Sequence, residues 1–273
     1  MKKEKLYLYL RVTIGWLLSL IILIPFSIIL LNTLKTSQEA AKFDLVLPSI
    51  FHWGNYVTVF NESHLGRAFF NSIILSTFPT ILSIMFTASA AFVISRNRSK
   101  FGVFLHRYFF VGLMAPLNIV PIILILKYLN LTNTFVGTVL VTAALGIPFA
   151  FFLFYGFFGT ISREIDEAAI IDGCGGYRLF YSIIFPLLKP VTVTGALLNF
   201  LGAWNDFKIP LYILNSSKKM GMIINMYSYF GQKQSDWNLV CTVIILTLLP
   251  VVALYLVAQK QIVSGMTSGA VKG

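Results

Sequence analysis

The chain has 273 residues, of which 57% are hydrophobic and only 11% charged, and its formal net charge is +11. A soluble domain carries about a quarter charged residues, so composition excludes an ordinary water-soluble domain and points to a chain whose outer surface faces lipid. In such a chain the basic excess is read as Lys and Arg holding loops on the cytoplasmic side, ahead of nucleic-acid binding. The two cysteines, Cys174 and Cys241, lie in separate apolar or near-membrane contexts and support neither a disulfide framework nor a metal site.

The basic N-terminal stretch, residues 1–11, precedes a first apolar run at 12–31. At about 20 residues that run spans a bilayer, and no small-residue cleavage site follows it, so it is read as a retained first helix. Further apolar stretches follow at 69–94, 107–129, 138–158, 187–214 and 238–258. Each has the length of a spanning helix, and lipid offers no partner for unpaired backbone groups, which favours helices. The predicted class is all-α, a polytopic membrane protein with six transmembrane helices. Residues 1–66 form the N-terminal part with an outer segment, 67–258 a five-helix core, and 259–273 a tail. Pro25, Pro79, Pro116, Pro121, Pro148 and Pro250 fall inside apolar stretches, where neighbouring helices tolerate them; kinks that serve a moving pathway and ordinary packing geometry fit equally.

With the N-terminus inside, thirteen of the 21 Lys and Arg residues fall on inner segments and eight on outer ones. The contrast is sharpest at the short basic loop 95–100, so both termini are expected in the cytoplasm. Two outer segments are long. Residues 36–66 carry Phe51, Trp53, Tyr56 and Phe60, an amphipathic stretch suited to the membrane interface. Residues 215–237 carry Lys218, Lys219, Met220, Gly221, Met222 and Met226.

The longest inner loop, 159–186, is too polar to span and too apolar for a free linker. Glu164, Asp166 and Glu167 suit the first turn of a helix, with Ile165, Ala168, Ala169 and Asp172 at helical spacing. Gly173, Gly175 and Gly176 then break it, and Tyr177, Phe180, Ile184 and Leu187 resume a helical period. The physical reading is two short helices at a glycine elbow on the inner membrane surface. Ala168, Ala169 and Gly173 form a small-residue face that admits another protein. A plain amphipathic interface helix satisfies the periodicity as well.

Glu167-Ala168-Ala169, then Asp172-Gly173, then Ile183 and Pro186 resemble the EAA loop of ABC importer permeases, with Phe185 in place of the leucine common before that proline. The resemblance extends to Asn71-Ser72, to 90–96, to Trp204-Asn205-Asp206-Phe207 with Pro210, and to the tail with Gly265, Thr267 and Gly269. It is strongest to the sugar branch, and within it to the maltose-type second permease. The resemblance implies a type I ABC importer permease fold and a translocation path for a sugar, an oligosaccharide. The implied partners are a second permease, two ATP-binding subunits, an extracytoplasmic solute-binding protein and membrane lipid, without nucleic acid. It also implies that Glu167, Ala168, Ala169, Asp172, Gly173 and Pro186 couple to the ATPase. Further implied contacts are of Gly265, Thr267 and Gly269 with the ATPase pair, and of Lys218, Lys219, Met220 and Gly221 with the binding protein.

No stretch has the G-x-x-x-x-G-K-[ST] order of a phosphate loop, so the chain is expected to hold no cofactor and to leave ATP and Mg to its partners. Asn71, Asn199, Trp204, Asn205 and Asp206 are candidates for the pathway or gate. A carboxylate within a membrane stretch is costly and usually functional, although Asp206, two residues from Lys208, also suits a water boundary. For Asn71, Asn118 and Asn199 hydrogen bonding between helices is the simpler role. A secondary transporter would need ionisable groups deep in the bundle, and Asp206 is the only acid in the six stretches. An embedded enzyme would need paired carboxylates, HExxH or a Ser/His/Asp set, none of which is present at depth. A permease of another ABC branch, for amino acids, peptides or polyol and sugar phosphates, remains the alternative.

Overall fold

The computed structural model describes residues 2–97, 99–233 and 236–270, with side chains for 7, 9–97, 99–233 and 236–259. Among the described residues four helices are long and apolar enough to cross a membrane, or six spans if each of two bent pairs counts as one. The chain divides into two compact units, 1–66 with 225–250 and 67–224 with 251–273.

The first unit contains α1 (Lys2–Asn32), α2 (Ser37–Ala40) and α3 (Gly54–Glu62), with residues of α13 (Met222–Gln232) and α14 (Trp237–Ala270). None of the apolar window of α1 is buried within the chain, as expected of a helix whose neighbours are lipid or another subunit. At its C-terminal end the fully buried Lys35 is neutralised by Asp44, whose Oδ1 lies 2.7 Å from Nζ. Asn55 donates to the carbonyls of Thr33 and Lys35. Thr36 and Glu39 close a capping box on α2, and the Ser49 hydroxyl, with the Thr36 backbone N–H, lowers the Glu39 carboxyl to about 2. The segment 36–66 is therefore a hydrogen-bonded fold. It exposes Phe51, Trp53 and Phe60, as the interfacial reading expects, but Tyr56 turns to the Thr33 hydroxyl, 2.8 Å away.

The second unit is built on α4 (Leu65–Arg96), α5 (Lys100–Met114), α6 (Ile119–Tyr128), α7 (Phe135–Phe158) and α11 (Lys189–Asn205). Small residues let helices approach closely, the usual device where no hydrophobic drive separates lipid from protein. A Cβ on Gly146 of α7 would overlap Asn199 Oδ1 of α11 and lie 3.0 Å from Ser83 Oγ of α4. Towards the elbow end, Ala88, Ala91, Ile94, Phe151, Phe154, Phe158, Leu179, Phe180 and Ile184 form the main apolar core.

Two of the six expected spans are bent in the structure. The third stretch, 107–129, is broken, because α5 and α6 meet at 114°. Ala115 before Pro116 is extended, with ψ 127, since the proline ring disfavours helix at the preceding residue. Asn118 then caps α6 through Val120 N–H, so it serves its own helix and not a neighbouring one. Pro121 sits in that first turn, where no amide donor is missed. The fifth stretch, 187–214, is α11 followed by the separate α12 (Lys208–Ile213). Pro25, Pro79, Pro148 and Pro250 do lie within helices. Beyond the sixth stretch, α14 runs on to Ala270 where a separate tail is expected. Residues 271–273, the burial of Gly265 and Gly269 and the side chain of Thr267 lie outside what the structure describes.

Candidate functional site

Two connections of the second unit carry the candidate residues. The first begins with α8 (Glu164–Ile171), whose first turn holds Glu164, Asp166 and Glu167. Asp166 is the buried member, and its Oδ2 lies 2.6 Å from Arg96 Nε at the end of α4. The guanidinium also donates from Nη2 to Asp166 Oδ1 at 3.4 Å. The same guanidinium reaches the Ile161 carbonyl and lies over the Phe158 ring. Arg163 donates to the Ser95 carbonyl at 3.2 Å. The connection is thus latched to the ends of α4 and α7 before it turns.

The turn is a Schellman motif. Cys174 N–H reaches the Ala169 carbonyl at 2.9 Å and Gly173 N–H the Ile170 carbonyl at 3.0 Å, the bond pair that ends a helix through a left-handed residue. Gly173 is that residue, at φ +78, with open space where a Cβ would stand. Gly175 and Gly176 have no left-handed backbone, so one glycine and not three makes the elbow. The chain resumes in α9 (Gly176–Arg178), a π-helical stretch Leu179–Ile184, and α10 (Phe185–Leu187), then bends by 78° into α11. Pro186 has no N–H to donate to Ser182, and the widened turn, with Phe185 N–H on the Phe180 carbonyl, directly precedes it. Leu179, Phe180 and Ile184 pin this arm into the core, and Phe185 packs beside them.

The faces of α8 differ from the expected ones. Asp166 and Ala169 point inward, whereas Ile165, Glu167, Ala168 and Asp172 are exposed. Of the small-residue face, Ala169 is therefore spent on the core, and Ala168 and Gly173 remain outside with Pro186. Ile170, Ile171 and Tyr177 stand outside the fold, Ile171 at 85% and Tyr177 at 87% exposed. Both adjacent isoleucines are thus outside, and the sequence carries no signal for it.

The second connection joins α11 through α12 to α13. Asp206 ends α11, and its Oδ1 accepts the N–H groups of Lys208 and Ile209, capping α12. Trp204 is buried against Phe69 and Phe200, while Asn205 is exposed and bonds the Leu201 carbonyl. Asn71 does not bridge two helices. Its Nδ2 donates to the carbonyls of Lys218 and Met220 at 2.9 and 3.0 Å, while Ser72 Oγ accepts Met222 N–H at 2.8 Å. Gly221 is buried, with Ser72 Oγ 2.6 Å from where its Cβ would stand. Gly221, expected at a contact with a partner protein, thus faces its own subunit. Lys219 gives its ammonium to the Asn133 carbonyl, and Met220 is half-buried. Lys218 alone of that set is exposed.

Trp204, Asp206, Gly221, Ser72 and Ser76 meet round a cleft of about 10 Å³, far too small for a sugar ring. On the other side of α11 an open groove of about 280 Å³ runs between α7 and α11. Thr142, Asn199 and Asp206 supply its polar groups, and Gly146, Gly202 and Ala203 are among its small ones. Asn199 bonds the carbonyl of Gly195 on its own helix, which again differs from a bond between helices. Three of the five pathway candidates, Asn199, Trp204 and Asp206, thus flank these two spaces; Asn71 and Asn205 line neither.

Comparison with known proteins places this geometry in a lineage. Residues 83–268 match the family described as binding-protein-dependent transport system inner membrane component. The chain is 34% identical over the full length of both chains to the probable starch degradation products transport system permease protein AmyC of Thermoanaerobacterium thermosulfurigenes. It is 31% identical to the melibiose/raffinose/stachyose import permease protein MelC of Bacillus subtilis, over 92% of this chain and 91% of that one. A permease of Streptococcus mutans, named for a multiple sugar-binding transport system, is 30% identical over both full lengths. The fold matches a crystal structure of a bacterial ABC transporter involved in import of the acidic polysaccharide alginate, with TM-score 0.83 and 18% identity, over 95% of this chain and 98% of that one. The chain belongs to the family of binding-protein-dependent transport system inner membrane components.

Proposed function

We propose that this chain is one of two permeases that form the path of an oligosaccharide importer, driven by a separate pair of ATP-binding subunits. The observation that carries the reading is the elbow itself. It holds Ile170, Ile171 and Tyr177 outside the fold on a support fixed by the Arg96–Asp166 pair and the Phe180 anchor. Exposed apolar side chains on a rigid, charged-latched turn suit a protein partner better than lipid, because Glu164, Glu167 and Asp172 surround them. ATP and Mg belong to that partner in this reading, and the permease holds no cofactor. With the basic loop 95–100 inside, both termini are cytoplasmic.

The groove between α7 and α11 is the assigned share of the path. Its mix of small residues with Thr142, Asn199 and Asp206 suits passing hydroxyl groups, with a second permease closing the open side. The names of relatives that carry starch products, melibiose or several sugars support an oligosaccharide as cargo. Lys218, exposed at the outer connection, is the assigned contact with an extracytoplasmic binding protein. The test is reconstitution of the full complex in proteoliposomes with radiolabelled melibiose and starch-derived oligosaccharides. Uptake that requires ATP inside and the binding protein outside is expected. Uptake of a sugar by this chain without an ATPase would overturn the proposal.

A further inference from the structure

The elbow's neighbour at the same end of the spans is a second, basic surface that the transport reading leaves unused. A cleft of about 490 Å³ is lined by Ser95, Asn97, His106, Tyr155 and Arg163, among others. A second cleft of about 320 Å³ is lined by Lys100, Val103, Phe104 and Arg107. Val103 lines both, so the two are contiguous along α5. Among the described residues lining them none is acidic. Arg163 is held in place by the Ser95 carbonyl, and His106 by the Tyr155 ring, 4.5 Å away between centroids. The first turn of α5, capped by Ser99, opens here and adds its positive end.

The same helix continues from this basic surface as an apolar one. Phe101, Phe104, Tyr108 and Val111 are each more than 60% exposed and recur at helical spacing along one face. A basic recess that leads directly to an apolar stripe at the end of membrane spans matches one chemistry: an anionic headgroup with acyl chains attached. We infer that this recess seats the phosphate of an anionic phospholipid, with Lys100, Arg107 and Arg163 as its cationic partners and the α5 stripe against its chains. A free phosphate would use the recess but leave the stripe unexplained, so the lipid is the assigned source. Clustered Lys and Arg beside a spanning helix recognise anionic headgroups in this way. The seat adjoins the ends of α4 and α7 to which the elbow is latched, so its occupancy bears on the elbow's support.

The test is native mass spectrometry of the complete transport complex released from nanodiscs of phosphatidylcholine mixed with phosphatidylglycerol. Wild type is expected to retain phosphatidylglycerol in preference. The double variant Lys100→Gln/Arg107→Gln, at exposed positions, is expected to lower that preference by about fivefold for each charge removed. Arg163→Gln should lower it similarly and Arg163→Lys should keep it. Equal retention of the two lipids by wild type, or an unchanged preference in the variants, would overturn the inference. So would competition in which inorganic phosphate alone displaces the lipid, which marks a free-anion site. Loss of the ATP-binding subunits from the double variant with lipid retention unchanged would mark a protein contact and overturn it as well.

Discussion

The elbow at 159–188 and the outer connection at 206–222 solve the same problem in opposite ways. Each carries the chain from one helix to the next, and in the proposed transporter each meets a partner. The elbow spends charge on its support and shows apolar side chains. Arg96 and Asp166 form the buried latch, while Ile171 and Tyr177 stand outside. The outer connection buries its small and apolar residues, Gly221 and Met222, and is tied by hydrogen bonds from Asn71 and Ser72. It shows a lysine. An apolar surface gives a contact its strength through desolvated anchors, whereas an exposed charge tunes encounter rates and is screened by salt. The difference suits a permanent partner at the elbow and a visiting one outside.

The largest expected effect breaks the elbow's surface without touching its support. Ile171→Asp with Tyr177→Asp should leave insertion and thermal stability near wild type, since both side chains contact little of their own chain. Anchors of this kind contribute about 2 kcal/mol each, roughly 30-fold in affinity. Copurification of the ATP-binding subunits and coupled uptake should therefore collapse together. Intact copurification would show that the exposed pair is not the contact.

Next comes the support. Arg96→Gln leaves Asp166 half-stranded beside the core, and loss of one member of a mostly buried pair costs about 3 kcal/mol. Hydrogen exchange should rise over 159–171, while 179–184, pinned by Phe180 and Ile184, keeps its protection. A uniform rise across both arms would mean that the latch does not divide them.

At the outer connection the prediction is steric. Gly221→Ala places a methyl group 2.6 Å from Ser72 Oγ, and overpacking of this kind costs about 1–3 kcal/mol. The variant should lower the thermal midpoint of the complex. Lys218→Ala should leave that midpoint alone and weaken stimulation by the binding protein, more at low salt than at high. The reverse pattern would exchange the structural and contact roles of the two residues.

Much of this was legible in the residues. Apolar run lengths found the spans, and the spacing from Glu167 through Gly173 to Pro186 found a helix–turn–helix. What stayed hidden depended on three-dimensional partners. No periodicity rule on eight residues shows that Asp166 will turn inward, because its reason is Arg96, 70 positions earlier. Asn71 looks like any polar residue of a membrane helix until the carbonyls of Lys218 and Met220 arrive beside it. The break at 115–118 was readable from Pro116 and Asn118, and run length alone obscured it.

The smallest expected effect decides why position 173 is glycine. Its φ of +78 strains any other L-residue by about 1–2 kcal/mol, and asparagine less than most. Beyond its chain neighbours nothing lies within 4 Å of where a Cβ would stand, so packing within this chain adds no steric reason to that backbone strain. If the left-handed turn is all that matters, Gly173→Asn should keep nearly full uptake, and Gly173→Val, which resists this backbone, should lose more. If the ATP-binding subunit closes directly over this backbone, the two variants should fail alike in coupled uptake. They would still differ in stability, because the intrachain strain is unchanged. Measuring thermal stability of the permease pair alongside ATP-driven uptake separates the two cases. The exposed surface of the elbow favours the second, so we expect Gly173→Asn to fold normally and to transport poorly.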